Sequence, residues 1–435
     1  SSTNIDNAIT TNVGGGLGVS AATNAVVAEL SGVISGAGGI TVYPGNVTTG
    51  QVKLRGTNTY TGTTSLFSGT ELILAGGSAI ADTADVAFNT QSGQLTLQAS
   101  ETVGSINRFT GVESLSSNAV IDVGSYALTL DSDNDSAFIG QLKGSGSLVK
   151  NGSGTLTLGS SSATATTGNF SGATTVNAGV VQLDGTLFGT LTIASGGKLA
   201  GGGTSTAAGE ATGAVSVASG STLSPGASGG TGTADLKTGN LALASGGTVA
   251  INIGGTTAGY GTDGSDGYDQ LITSGTVDVT GATLAVTGGY TPQVGDVFTL
   301  IDNDGTTDAV TGTFNGLAEG ATVTLNGVDM QISYAGGDNN DITLTVAGGG
   351  GDESDTTPPV FQGAATNTDG TKIILTYDGS LSATTAAANA FTVTAAGNGN
   401  TVTAVTVNGS TVELTLTTAI TNGLAVTGAY ADAPA

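Results

Sequence analysis

The stretch Gly152–Leu183, GSGTLTLGSSSATATTGNFSGATTVNAGVVQL, restricts the folds open to this chain more than any other. Thr and Leu alternate over Thr155–Leu158. In a strand that alternation sends one set of side chains inward and the other outward. A polar bend punctuated by Gly follows, and then a second apolar-alternating run, Thr174–Leu183, broken at Ala178-Gly179. A unit this short cannot bury its own inner face. It is stable only when stacked on others like it.

The unit recurs. The segment 51–77 carries Val52/Leu54, then Asn58-Thr59-Tyr60-Thr61-Gly62, a Thr63-Thr64 pair and a closing Leu72/Leu74. The later copy has Leu156/Leu158, Asn169-Phe170-Ser171-Gly172, Thr174-Thr175 and Val181/Leu183 in the same order. Shorter versions lie at 189–202, 213–226 and 239–255. Repeated short strands joined by Gly-rich bends predict a right-handed parallel β-solenoid (β-helix) over residues 30–346, all-β throughout. Residues 1–29 are expected to be its cap or lead-in segment. Gly is expected at corners that need positive φ.

The composition changes at AGGGGDESDTTPPV, 347–360. The Gly run, acidic cluster and Pro-Pro read as a linker over 347–359. Strand-like runs then recur to the end of the sequence, with Asn408-Gly409 as a hairpin signal. Residues 360–435 are therefore expected to form a small Ig-like β-sandwich.

Two resemblances overlie this reading. The order GSGTLTL…NFSGATTVNAGVVQL resembles the passenger-associated transport repeat of bacterial autotransporter passengers, and Leu223–Gly226 (LSPG) and the run 267–305, with TGTFNGL at 311–317, resemble later elements of the same passengers. It implies a β-helical passenger outside a Gram-negative cell, and it implies a membrane β-barrel translocator further along. After residue 346 this sequence turns instead to the linker. The opening DTTPPVF, LTYD (375–378), AFTVT and VTVNGSTVELTL resemble the SwmB-type immunoglobulin-like repeat of bacterial surface proteins over 355–435. Because the sequence begins at Ser1 and ends on ADAPA, it reads as part of something longer.

Charge and composition exclude several chemistries. The 33 acidic residues against 8 basic ones give a net charge of −25, and the bases are scattered. No basic patch exists to neutralise phosphates, so nucleic acid is not an expected partner. An anionic lipid surface is disfavoured for the same reason, and no apolar run long enough for a spanning helix occurs. With no Cys and no His, there are no disulfides, thiolate sites, imidazole metal clusters or Ser-His-Asp triads.

Oxygen ligands remain as a chemistry. Asp131, Asp133 and Asp135 alternate with Ser132 and Asn134, a pattern that suits calcium. An EF-hand would have Gly and Glu where this chain has Ser136 and Leu142. Asp352, Glu353 and Asp355 are a second calcium candidate, at the linker. The runs 302–305 and 338–341, and Asp263, Asp266 and Asp269, read as ordinary Asx-Gly turns. Tyr43, Tyr60, Phe67, Phe170 and Phe188 are either a sugar-stacking set or positions inside the coils. Arg108 and Lys143 lie near Asp131–Asp135 in sequence, but nothing brings them together as a polysaccharide-cleaving centre would require. The expectation is a non-enzymatic structural protein of the bacterial cell surface. It would be a stalk, fibre or matrix subunit able to self-associate into oligomers or filaments. The alternative is an adhesin that binds glycans or neighbouring cells through the solenoid.

Overall fold

The computed structural model describes residues 2–12, 15–20, 27–44, 50–89, 92–108, 118–159, 169–201, 209–226, 233–259, 266–303, 308–346, 359–379, 381, 386–421 and 423–430. They form two compact units, Ser1–Val346 and Ala347–Ala435. Both are built of strands, with one short 3₁₀ turn at Ala388–Ala390 and no α-helix among the described residues.

The first unit is a parallel β-solenoid. Its largest all-parallel sheet stacks eight strands, from Glu101–Val103 through Ala127–Leu130, Ser147–Lys150 and Thr174–Val176 to Val277–Asp278. A seven-stranded parallel sheet runs from Ser136–Phe138 to Thr283–Thr287, and another from Ser2–Ile5 to Gln141–Lys143. Partners on successive coils are separated by as few as 17 residues (Thr174↔Leu191) and as many as 36 (Leu241↔Val277). The bends, not the strands, absorb that variation. The first strand, Ser2–Ile5, pairs in parallel with Val27–Leu30, so the parallel ladder already begins among the described residues of the segment expected to be a cap or lead-in.

The far end of the stack is built differently. Val297–Asn303 pairs in parallel with Gln270–Thr273 on one side and antiparallel with Asp341–Thr345 on the other. Val328–Gly336 and Thr322–Leu325 then fold across as a hairpin whose turn uses Asn326 and Gly327, both at positive φ. Reversing strand direction ends the parallel ladder there.

The core lies inside the coils and follows the period-2 pattern. One inward column of the eight-stranded sheet reads Leu128, Leu148, Thr174, Leu191, Val215, Leu241 and Val277. All are buried, each aliphatic member contributing about 1.5–3 kcal/mol. Tyr60 and Phe170, which occupy equivalent places in the two sequence copies, are 0% and 1% exposed. They are interior fillers.

The glycine content has a structural reason beyond turn geometry. Gly146, Gly172, Gly189, Gly213 and Gly239 stack along one corner. A Cβ on Gly172 would lie 1.6 Å from the Gly146 carbonyl oxygen, one on Gly189 2.0 Å from that of Gly172, and one on Gly213 2.0 Å from that of Gly189. Of these five only Gly189 has positive φ. This corner requires glycine because backbone meets backbone, not because of φ.

The second unit has a four-stranded antiparallel sheet, containing Phe361–Thr366, Lys372–Tyr377, Thr411–Leu416 and Val402–Asn408 in that order, and a three-stranded one centred on Phe391–Ala395. Asn408 pairs with Thr411, and Gly409 has φ +58, which is the hairpin expected from Asn408-Gly409. Its small core comprises Ile373, Val393, Val402, Val412, Leu414 and Leu416.

Candidate functional site

The acidic run Asp131–Asp135 lies where the chain leaves the strand Ala127–Leu130 and before Ser136–Phe138 begins. Directly upon it sits the bend Gly152–Gly154 of the next coil. A Cβ on Gly152 would approach the Ser132 carbonyl oxygen at 2.0 Å, and one on Gly154 that of Asn134 at 2.3 Å. With the two bends this close, the carboxylates reach the backbone above. Asp133 Oδ1 accepts from both the amide and the hydroxyl of Ser153, each at 2.8 Å. Those bonds hold the Asp133 carboxyl below its usual range. Asp135 Oδ1 accepts the Thr155 amide at 2.8 Å. The oxygen alternation that suggested calcium ligands is thus also what a ladder between coils needs.

A cation already faces this run. Lys150 follows Leu148 at period 2 in GSLVK, and its inward column runs Leu130, Lys150, Val176. It is 2% exposed. Its Nζ donates to the Gly152 carbonyl oxygen. Burial pushes the ammonium below its ordinary range, and Asp133, Asp131 and Asp135 pull it back up. The three carboxylates supply the negative field around a buried lysine. Among the described residues no three acidic side chains converge as a metal site requires, so the ligand set expected at Asp131, Asp133 and Asp135 is not assembled. Asp352, Glu353 and Asp355 lie outside the described residues.

The other acidic turns also carry inter-coil bonds. Asp269 is 1% exposed and spans two segments, Oδ1 accepting the Ala234 amide at 3.0 Å and Oδ2 the Asn252 amide at 2.9 Å. Burial pushes its carboxyl up to about 7. Asn303 and Asp341, from the runs 302–305 and 338–341, are brought together, with the Asn303 amide donating to Asp341 Oδ1 at 2.9 Å. Burial raises the Asp341 carboxyl, and the charges of Asp302 and Asp338 add to that shift. Asp263, Asp304 and Gly305 lie outside the described residues. Lys143 stands opposite Asp122 in the ladder.

Of the five candidate stacking rings, Tyr60 and Phe170 are interior, while Tyr43 and Phe188 are 44% and 38% exposed. Tyr43 and Phe67 stack with centroids 5.2 Å apart and planes 27° apart. Rings stacked on successive coils cover each other's faces, which leaves mainly edges for a ligand. The second unit holds a cleft of about 880 Å³ between its sheets, lined in part by Leu375, Tyr377, Leu414, Phe391, Val393 and Tyr430.

Buried charge is what sequence reading passed over. Glu101 and Lys150 are 2% exposed and Asp269 is 1% exposed. For the first two the signal was present: Glu101-Val103 and Leu148-Lys150 follow the period-2 rule that marks inward positions.

These observations define an all-β protein, a parallel β-solenoid accompanied by a small antiparallel β domain. Residues 354–435 match the repeat family described as "Putative flagellar system-associated repeat", the SWM repeat. No curated protein matches the chain. Among the described residues no helix is long and apolar enough to cross a membrane.

Proposed function

We propose that the protein is an extracellular structural component of the bacterial cell surface, a stalk, fibre or matrix subunit that self-associates. The observation that carries this reading is the joining of a parallel solenoid to a unit matching a flagellar system-associated repeat. Acidic side chains of the solenoid bends are engaged in holding coil to coil. The Asp131–Asp135 run serves Ser153, Thr155 and Lys150, and Asp269 serves Ala234 and Asn252. That allocation favours a mechanical role over a catalytic one.

Strand edges supply the means of association. Among the described residues Val426–Tyr430 is an edge strand with one neighbour, all five of its residues exposed and none charged. Exposed neutral edges of this kind accept further strands unless charge, Pro or a bulge blocks them. Electron microscopy and sedimentation over a concentration series test the proposal. Filaments or concentration-dependent oligomers that Thr427→Lys suppresses are the expected result. Monodisperse monomer at every concentration sinks it.

A further inference from the structure

Asn58 and Glu101 occupy equivalent places two coils apart in the solenoid. Each accepts a backbone amide from the coil before it: Ile34 N–H to Asn58 Oδ1 and Ile80 N–H to Glu101 Oε1, both at 2.7 Å. The Asn58 amide nitrogen also donates to the Ala79 carbonyl oxygen at 2.7 Å, so both of its polar atoms are satisfied. The Glu101 side chain is not. Its Oε2 is buried and has no hydrogen-bond partner. On the coil after it, the position paired with Glu101 is Leu128, which offers no polar side chain.

We propose that Glu101 is a pH-operated latch between coils, closed while its carboxyl is protonated and loosened once it ionises inside the apolar column. The titratable groups facing it are Asp82 and the Tyr60 phenol, and neither supplies positive charge. Tyr60 hydroxyl is engaged with Thr64 Oγ1 at 2.6 Å, and Asp85, the next acid along, accepts from Ser105 at 2.7 Å. On the packed strand Ala127–Leu130 no residue is ionisable. A buried carboxylate with one oxygen unserved and no counter-ion costs free energy that the neutral acid avoids.

Burial pushes the Glu101 carboxyl from its ordinary 4.5 up to about 7, against the lowering effect of the Ile80 and Ala79 amides; Asp82 adds a smaller upward push. The sign follows. With the folded pKa raised above the unfolded one, the folded state holds the extra proton between those values. The stabilisation that Glu101 contributes is therefore fully present below about 4.5, falls as pH rises towards about 7, and is lost above it.

Asp235, Asp269 and Asp341 shift the same way, so global melting mixes several groups. Local amide exchange separates them. Hydrogen exchange of the intact protein, followed by mass spectrometry from pH 5.5 to 8.5 and corrected for intrinsic rate, should show protection over 79–84 falling roughly tenfold or more. Glu101→Gln keeps the acceptor for Ile80 and removes the charge, so its protection should be flat with pH. Asp82→Asn should shift the wild-type midpoint to lower pH, and it tests the latch even if Glu101→Gln does not fold. A flat wild-type profile, an unchanged slope in Glu101→Gln, or an unmoved midpoint in Asp82→Asn overturns the proposal.

Discussion

The stacked corner of the solenoid and the turns of the C-terminal unit use glycine for opposite reasons. Along the solenoid corner, Gly172 has no room for a Cβ, because the carbonyl of Gly146 occupies the place where it would go. In the C-terminal unit, Gly397, Gly409 and Gly423 have nothing within 4 Å of that place, and their φ values are +82, +58 and +90. One set is fixed by the neighbouring coil and the other by the local turn. Close packing and turn geometry are thus two separate demands for glycine, and only the turn requirement is local in sequence.

The sharpest test of that contrast is Gly172→Ala. A carbonyl in a stacked coil cannot move aside as a flexible side chain would. The cost should lie at the upper end of overpacking, about 3 kcal/mol, read as a lower denaturation midpoint of the solenoid. The C-terminal unit's own transition should stay in place. An unshifted solenoid midpoint would mean that the coils separate freely at this corner.

Gly409→Ala should cost less, about 1 kcal/mol, because only left-handed backbone is strained and no neighbour is struck. Gly409→Asn should recover most of it, since Asn tolerates that conformation. The loss should appear in the second unit alone. If Asn is as damaging as Ala, space and not φ governs this turn, and the contrast between the units disappears.

These two glycines also show how far the sequence could be read. Asn408-Gly409 between alternating runs is a local signal, and the hairpin followed from it. The solenoid was legible because period-2 alternation and repeated bends are local too. The stacked corner was not, since it depends on which coil lies beneath, and the bends between coils vary in length. The run Asp131, Asp133 and Asp135 was open to a second reading for the same reason. Alternating oxygens look alike whether they face an ion or the amides of the next coil, and Ser153 and Thr155 are 20 residues away from Asp133 and Asp135.

That alternative is testable, with a smaller effect. Asp133→Asn should lower the solenoid's melting temperature modestly at neutral pH. The wild-type advantage should fade as acid protonates Asp133, because its folded pKa lies below the ordinary value. Chelator and added calcium should leave both proteins' melting temperatures unchanged. A calcium-dependent rise that Asp133→Asn abolishes would restore the metal reading of this turn.

The smallest effect is the most discriminating. Gly289 belongs to the solenoid unit, yet a Cβ there would meet nothing within 4 Å, and its φ is not in the left-handed region. If membership of the solenoid were what demanded glycine, Gly289→Ala would resemble Gly172→Ala. If contact with the next coil is what matters, it should stay within about 0.5 kcal/mol of wild type, or gain slightly from a less flexible unfolded chain. Denaturant midpoints of the two variants, measured side by side, separate these accounts. Near-neutrality at Gly289 with a large loss at Gly172 would place the constraint at individual corner contacts, within a unit whose overall composition is the same for both.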